Sequence, residues 1–136
     1  MTDVKEAPSQ HREGLDHIYA ALPPEGFAQL KDVVEASGSE RGKVQRALVL
    51  AKLGEAADGQ NGKWTRGNLG RTAFRDAVVL GYLREKKQAP MSAIVAEFEG
   101  LASSPQVYNS LARLRKAGAV DVGRDGSRSP VYQLLG

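Results

Sequence analysis

The sequence predicts a mainly helical α+β fold with small β-hairpins, built from one pattern that occurs twice. In each half, apolar residues recur at three- and four-residue steps, as on one face of a helix, between proline and glycine breaks. Each half then ends in turn-forming residues and short strand-like stretches. We expect four segments, which are a flexible arm at 1–13, a first module at 14–66, a linker at 67–72 and a second module at 73–136.

The C-terminal copy carries the clearer signals. Its predicted elements are, in order, helices at 73–87, 93–98 and 104–116 and strands at 119–122 and 131–135. Ser104 supplies a capping hydroxyl, and Pro105 takes the first helical position, where a missing N–H costs nothing. Gly118 ends this third helix, because glycine readily adopts the left-handed backbone of a helix terminus. The second module is therefore predicted as three helices followed by a hairpin.

The N-terminal copy repeats this order with weaker signals. We expect helices at 15–22, 28–36 and 39–53, a turn cluster at 58–62 and a strand at 63–66. An offset of 64 residues places Ala47, Leu50 and Gly54 at the positions of Leu111, Leu114 and Gly118. Trp64 is predicted to pack as Tyr132 does in the second copy. Because each copy has only about 55–65 residues, we expect the two to pack together.

Composition and charge exclude several classes of protein. The 136 residues include no cysteine, which excludes disulfides, thiolate metal sites and thiol nucleophiles. No apolar run approaches the roughly 18–20 residues that span a bilayer, and the N-terminus does not resemble a signal peptide. The net charge of +3 is uneven, since residues 1–68 carry 9 basic and 10 acidic groups and residues 69–136 carry 10 and 6. We expect a cytoplasmic protein whose C-terminal half is the better candidate for contact with phosphate.

The third helix of the second module separates into two predicted faces. Tyr108, Leu111 and Leu114 recur every three residues and are expected in the core. The opposite face is predicted to be a polar stripe of Gln106, Asn109, Ser110 and Arg113. Asparagine and glutamine suit adenine, and arginine suits guanine, so the stripe has the chemistry to read base edges. The alternative is an ordinary solvated helix face.

Three helices followed by a hairpin resemble the winged-helix fold. The stretch Val107 to Val120, VYNSLARLRKAGAV, and the Gly- and Arg-bearing loop after it are similar to the third helix and wing of bacterial winged-helix regulators, including the multiple-antibiotic-resistance type. The resemblance covers about residues 73–135 and implies that the third helix enters the major groove. It also implies that Arg124 and Arg128 reach the minor groove or the backbone, and the alternative for these two is solubility of an exposed loop.

The first module offers weaker candidates for the same contacts. Its third helix presents Gln45 and Arg46, but Gly42 and Val49 are poor groove residues, so this helix contacts phosphates alone or faces a protein. The complete set of predicted DNA-binding residues is Ser104, Gln106, Asn109, Ser110, Arg113, Arg124, Arg128, Arg41, Lys43, Gln45, Arg46, Lys63 and Arg66.

The function implied is non-enzymatic binding of double-stranded DNA, by a transcriptional regulator or by a replication, partition or maintenance factor of a mobile element. Such a protein would associate with the nucleoid. We expect no cofactor and no metal, since His11 and His17 lack the four-residue spacing of a helical metal pair. Two alternatives stay open, a scaffold similar to the condensin-associated tandem winged helices and RNA binding, as in the selenocysteine elongation factor. A homodimer or a protein partner through the first module is also possible.

Overall fold

A computed structural model describes residues 14–54, 58–60, 63–65, 70–123 and 130–135. Within these ranges the protein is mainly helical, with short antiparallel hairpins, which confirms the predicted fold class. In chain order the elements are α1 Gly14–Ala21, β1 Ala28–Gln29, α2 Leu30–Ser37, α3 Arg41–Leu53, β2 Asp58–Gln60, β3 Lys63–Thr65, α4 Arg71–Lys86, β4 Gln88–Pro90, α5 Met91–Glu97, α6 Ser104–Lys116, β5 Val120–Gly123 and β6 Val131–Leu134. None of these helices is long and apolar enough to cross a membrane.

The two halves have the same order of elements and the same sheet topology. Each runs helix, strand, two helices and two strands, and the sheets have the orders β1-β3-β2 and β4-β6-β5, with all pairs antiparallel. Trp64 lies on the central strand opposite Ala28, and Tyr132 lies on the central strand opposite Ala89. The predicted equivalence of Trp64 and Tyr132 is therefore confirmed.

Strands β1 and β4 are absent from the sequence prediction, and β2, at Asp58–Gln60, lies where a turn cluster was predicted. Residues 28–29 were expected to begin a helix, and residues 88–90 lie where a helix was expected to stop. Strands β1 and β4 have only two or three residues, which is too short for a period of two to be visible. Each exists because a hairpin from later in the chain supplies its partner strand.

The third helices α3 and α6 correspond residue by residue. Both have 13 residues, and their buried positions match at an offset of 63, so the predicted offset of 64 is wrong by one residue. The matched buried pairs are Val44 with Val107, Ala47 with Ser110, Leu48 with Leu111 and Ala51 with Leu114. The linker is also shorter than predicted at its C-terminal end, because α4 begins at Arg71, with Gly70 as its N-cap.

The buried apolar side chains of both halves form one connected core. At its centre α3 and α4 approach so closely that their backbones touch. A Cβ on Gly81 would overlap the carbonyl oxygen of Leu50, and a Cβ on Gly54 would overlap the carbonyl oxygen of Ala77. Because only glycine leaves room for this approach, the two glycines determine how near the halves lie.

A buried ion pair joins the same helix α4 to α1. Arg75 Nε donates to Asp16 Oδ1 at 3.1 Å, and both side chains are largely covered. A carboxylate in such a position needs its partner, because an unpaired buried charge is strongly destabilising. Helix α4 therefore contacts the first half both by close packing and by charge.

Replacement of Gly81 by alanine is expected to destabilise the protein by about 1–3 kcal/mol or more, because the new methyl group forces α3 and α4 apart. The matched control is Gly42→Ala. Gly42 is an exposed position in α3 with open space around its Cα, and alanine there should stabilise the protein by up to about 1 kcal/mol through helix propensity. Urea unfolding of both variants measures the two changes. Equal effects of the two substitutions would contradict the backbone contact.

Candidate nucleic-acid interface

The outward face of α6 differs from the predicted polar stripe. Val107, Ser110, Leu111 and Leu114 face the core, and Ser110 is only 1% exposed. Tyr108, predicted in the core, is instead 58% exposed. The outward face consists of Pro105, Tyr108, Asn109, Ala112, Arg115 and Lys116. The prediction is wrong because a strict three-residue step drifts across a helix, whereas the spacing of 107, 111 and 114 follows its 3.6-residue period.

Arg113 is bound to the protein itself. Its Nε and Nη2 donate to the two carboxylate oxygens of Asp76 on α4, both at 2.8 Å, and Nη2 also lies 3.4 Å from Ser110 Oγ. These hydrogen bonds to Asp76 raise the pKa of Arg113. The predicted reader of guanine thus holds α6 against α4, and Ser110 lies beneath it as a buried partner.

The side chain of Gln106 caps the N-terminus of α6. Its side-chain oxygen accepts from the Ser103 N–H at 3.0 Å, and Ser103 Oγ accepts from the Gln106 N–H at 3.3 Å. This reciprocal pair is a capping box, which satisfies two backbone donors that the helix leaves open. The cap is Ser103 rather than the predicted Ser104, which is the exposed first helical residue, and Pro105 takes the second position. Asn109 is the one residue of the predicted stripe that faces solvent and makes no side-chain hydrogen bond among the contacts described for this part of the chain.

The predicted DNA-binding residues of α3 lie in different environments, some exposed and some in contact with other parts of the protein. Arg41 and Gln45 are exposed. Lys43 is half-buried, and its Nζ lies where a Cβ on residue 100 would stand, a place that is open because this residue is glycine, with a φ of 83°. The outward face of α3 also carries Val49 and Leu53, each 39% exposed, so it is more apolar than the outward face of α6.

Arg46 connects α3 to two elements of the second half. Its Nη1 and Nη2 donate to the carboxylate of Glu85 on α4 at 3.0 and 2.6 Å, and its Nε donates to Glu97 on α5 at 2.8 Å. These bonds, to Glu85 first, raise the pKa of Arg46, and they hold the pKa of Glu85 below its ordinary value. The expectation that Arg46 faces outward is wrong, since its guanidinium is occupied by these two carboxylates.

The outward face of α6 borders a groove that we call the α6 groove. It has a volume of about 370 Å³ and is lined by Tyr108, Ala112, Arg115, Lys116 and Tyr132. Arg115 Nε lies 3.7 Å from Asp121 Oδ1, with both side chains more than half exposed, which makes this a weak ion pair. Burial raises the pKa of Tyr132, and the charge of Arg115 opposes that rise. The groove thus combines two aromatic rings with two cations.

Several predicted residues lie outside the described part of the chain. Arg66, Arg124 and Arg128 fall in the ranges without a description, and Lys63 is described only as the first residue of β3. The sequence prediction missed Tyr108, Arg115 and Lys116. The signal that identifies them is the spacing of Val107, Leu111 and Leu114, which places these three residues on the opposite side of α6.

Comparison with known proteins names no family for this chain. No protein-family model matches it, and no curated protein matches it. Among solved structures, the DIP2311 protein from Corynebacterium diphtheriae is similar over 87% of this chain, at 16% identity and a TM-score of 0.39. The chain spans 24% of the length of that protein. A likeness of this size supports no conclusion about family or function.

The contact between Arg46 and Glu85 predicts a pH-dependent contribution to stability. Because the folded state lowers the pKa of Glu85, its contribution is complete above the ordinary value of 4.5 and disappears as the pH falls through the lowered value. Glu85→Gln should therefore reduce stability by roughly 0.2–1 kcal/mol at pH 7 and by progressively less as the pH falls below 4.5 through the lowered pKa. Urea titrations across this range test the difference. The control is Glu35→Gln, an exposed carboxylate on α2, and a Glu85→Gln effect that is constant with pH would rule out the linkage.

Proposed function

We propose that the chain is a non-enzymatic double-stranded DNA-binding protein made of two winged-helix modules, with the outward face of α6 as its main contact. The observation that carries the proposal is the composition of that face. It presents Asn109, Arg115 and Lys116, and α6 contains no acidic residue. A helix with exposed cations and an exposed amide suits the major groove, where phosphates and base edges are both within reach.

The architecture of the second half supports this role. Helices α5 and α6 are consecutive and are followed by the antiparallel hairpin of β5 and β6, which is the order that a winged helix requires. The bond between Arg113 and Asp76 and the capping box fix the orientation of α6 and its N-terminus. A helix held in this way loses little further freedom on binding, which favours affinity.

The roles of the exposed side chains follow from their chemistry. Asn109 suits adenine and Arg115 suits guanine, through paired hydrogen bonds in the major groove. Lys116 at the end of the helix suits a phosphate, where it acts as a point charge. The residues after β5, including Arg124 and Arg128, would extend the contact to the backbone or the minor groove, as the winged-helix resemblance implies.

The second half supplies most of the proposed binding. Its net charge is +4, from 10 basic and 6 acidic residues at 69–136. In the first half, Arg46 is bound internally, and the outward face of α3 carries Val49 and Leu53. Those two apolar residues favour a second candidate function, a protein contact through the first module, as in a scaffold. A regulator or mobile-element factor in the cytoplasm, on the nucleoid, fits the first proposal.

Fluorescence anisotropy of the full chain with a random-sequence duplex at two salt concentrations tests the proposal. Lys116→Ala should weaken binding and reduce the slope of log affinity against log salt by about 1, since one phosphate contact is lost. Lys31→Ala is the matched control, because it removes the same charge from an exposed position on α2. Equal losses in the two variants would mean that net charge, and not α6, determines binding.

Arg115→Ala separates base recognition from charge. On a duplex selected from a random pool, it should cost about 1–3 kcal/mol and relax the preference at one base position. Circular dichroism should stay unchanged, because Arg115 is exposed. Negligible binding to duplex, single-stranded DNA and structured RNA alike would reject nucleic-acid binding and favour the scaffold. Tighter binding to structured RNA than to duplex would favour RNA as the ligand.

A further inference from the structure

Tyr108 is unusual on the outward face of α6. Its ring is 58% exposed and lies among polar and charged residues, whereas Phe74 and Phe98 are fully buried in the core. An exposed aromatic residue on its own needs no explanation. Tyr108, however, lines the α6 groove together with a second aromatic residue, Tyr132, which is 6% exposed and lies on the central strand β6.

The lining of the α6 groove defines the chemistry of its occupant. Ala112 is small and leaves the space beside the Tyr108 ring open, and Arg115 and Lys116 add two positive charges. Aromatic rings and the guanidinium plane both stack on flat π systems, and the cations attract an anion. The groove of about 370 Å³ is of a size that suits a small planar group. A planar ring attached to a phosphate satisfies all of these features.

We propose that the α6 groove holds one unstacked nucleobase, with its ring on Tyr108 and its phosphate at Arg115 and Lys116. Arg115, which faces a base edge on intact duplex, would then contact a phosphate on this form of DNA. The protein would then prefer duplex DNA with an unpaired nucleotide to intact duplex. This inference rests on the proposed binding of DNA and adds the form of DNA that is bound. Base-stacking on an aromatic side chain is tolerant of sequence, because every base has a π face.

Asp121 has a defined part in this proposal. Its carboxylate lies 3.7 Å from Arg115 Nε and also accepts a hydrogen bond from the Val122 N–H at 2.9 Å. An incoming phosphate would compete with this carboxylate for Arg115. Asp121→Asn should therefore tighten binding of DNA that has an unpaired nucleotide, since it removes the competing charge and keeps the shape of the side chain.

The test uses the full chain and three labelled duplexes. The first is fully paired, the second has the same sequence with one extra unpaired nucleotide, and the third carries an abasic site at that extra position. Anisotropy should show about 5- to 160-fold tighter binding to the duplex with the extra base than to the other two, the range expected for stacking of one base. Tyr108→Phe should keep this preference, and Tyr108→Ala should lose it, so that this variant binds the three duplexes with equal affinity.

The possible failures are distinguishable. Equal affinity for all three duplexes, with the paired duplex still bound, would overturn the stacked base and leave the proposed function standing. If Tyr108→Ala still preferred the duplex with the extra base, the stacked base would also be overturned, because the base would then be bound elsewhere. Failure to bind any duplex would reject the proposed function itself. Circular dichroism of both Tyr108 variants should match the parent, as expected for an exposed residue.

Discussion

The close approach of α3 and α4 is the constraint on which the remaining structure depends. Gly54 and Gly81 let the two backbones touch, and this contact joins the last helix of the first repeat to the first helix of the second. Helix α4 in turn holds α6 through Asp76 and Arg113, so the position of the outward face of α6 is set by packing that begins in the first repeat. Dispersion and burial supply the energy of such a contact, and glycine supplies the space.

The ion pairs around α4 have a different part in the structure. Arg75 with Asp16, Arg46 with Glu85 and Arg113 with Asp76 connect α4 to three other helices. The two partly exposed pairs, those of Arg46 and Arg113, contribute little energy, so their main effect is on the orientation of the helices they join. The buried pair of Arg75 and Asp16 differs, because loss of either partner would leave an unpaired buried charge. The three pairs also use three arginines within the protein, so the number of basic residues overstates the number of cations that are available to a ligand. Arg115 and Lys116 are exposed and line the α6 groove.

Local patterns in the sequence were sufficient to predict the helices, the hairpins and their repetition. The periodicity of apolar residues identified α1 to α6, with boundaries within a few residues. Turn residues identified both strands of the second hairpin but only β3 of the first, because β2 was predicted as a turn. The strands β1 and β4 could not be predicted, because each depends on pairing with a strand distant in the chain. The same holds for the partners of Arg46 and Arg113, which lie 39 and 37 residues away. The face of α6 was predictable in principle, but the choice of Tyr108 over Val107 as the core residue rotated it by one position.

The shared core has a consequence for how the protein responds as a whole. Since the apolar side chains of both repeats form one cluster, neither repeat has an interior of its own, and the chain should lose its structure in one cooperative transition. Any molecule that binds only the folded form raises the stability of everything that unfolds with its site. A ligand held by α6 would thus protect backbone amides in α1 and α2 from hydrogen exchange, although it touches neither helix. The first repeat would thus contribute to binding through the stability it shares with α6, without any contact to the ligand.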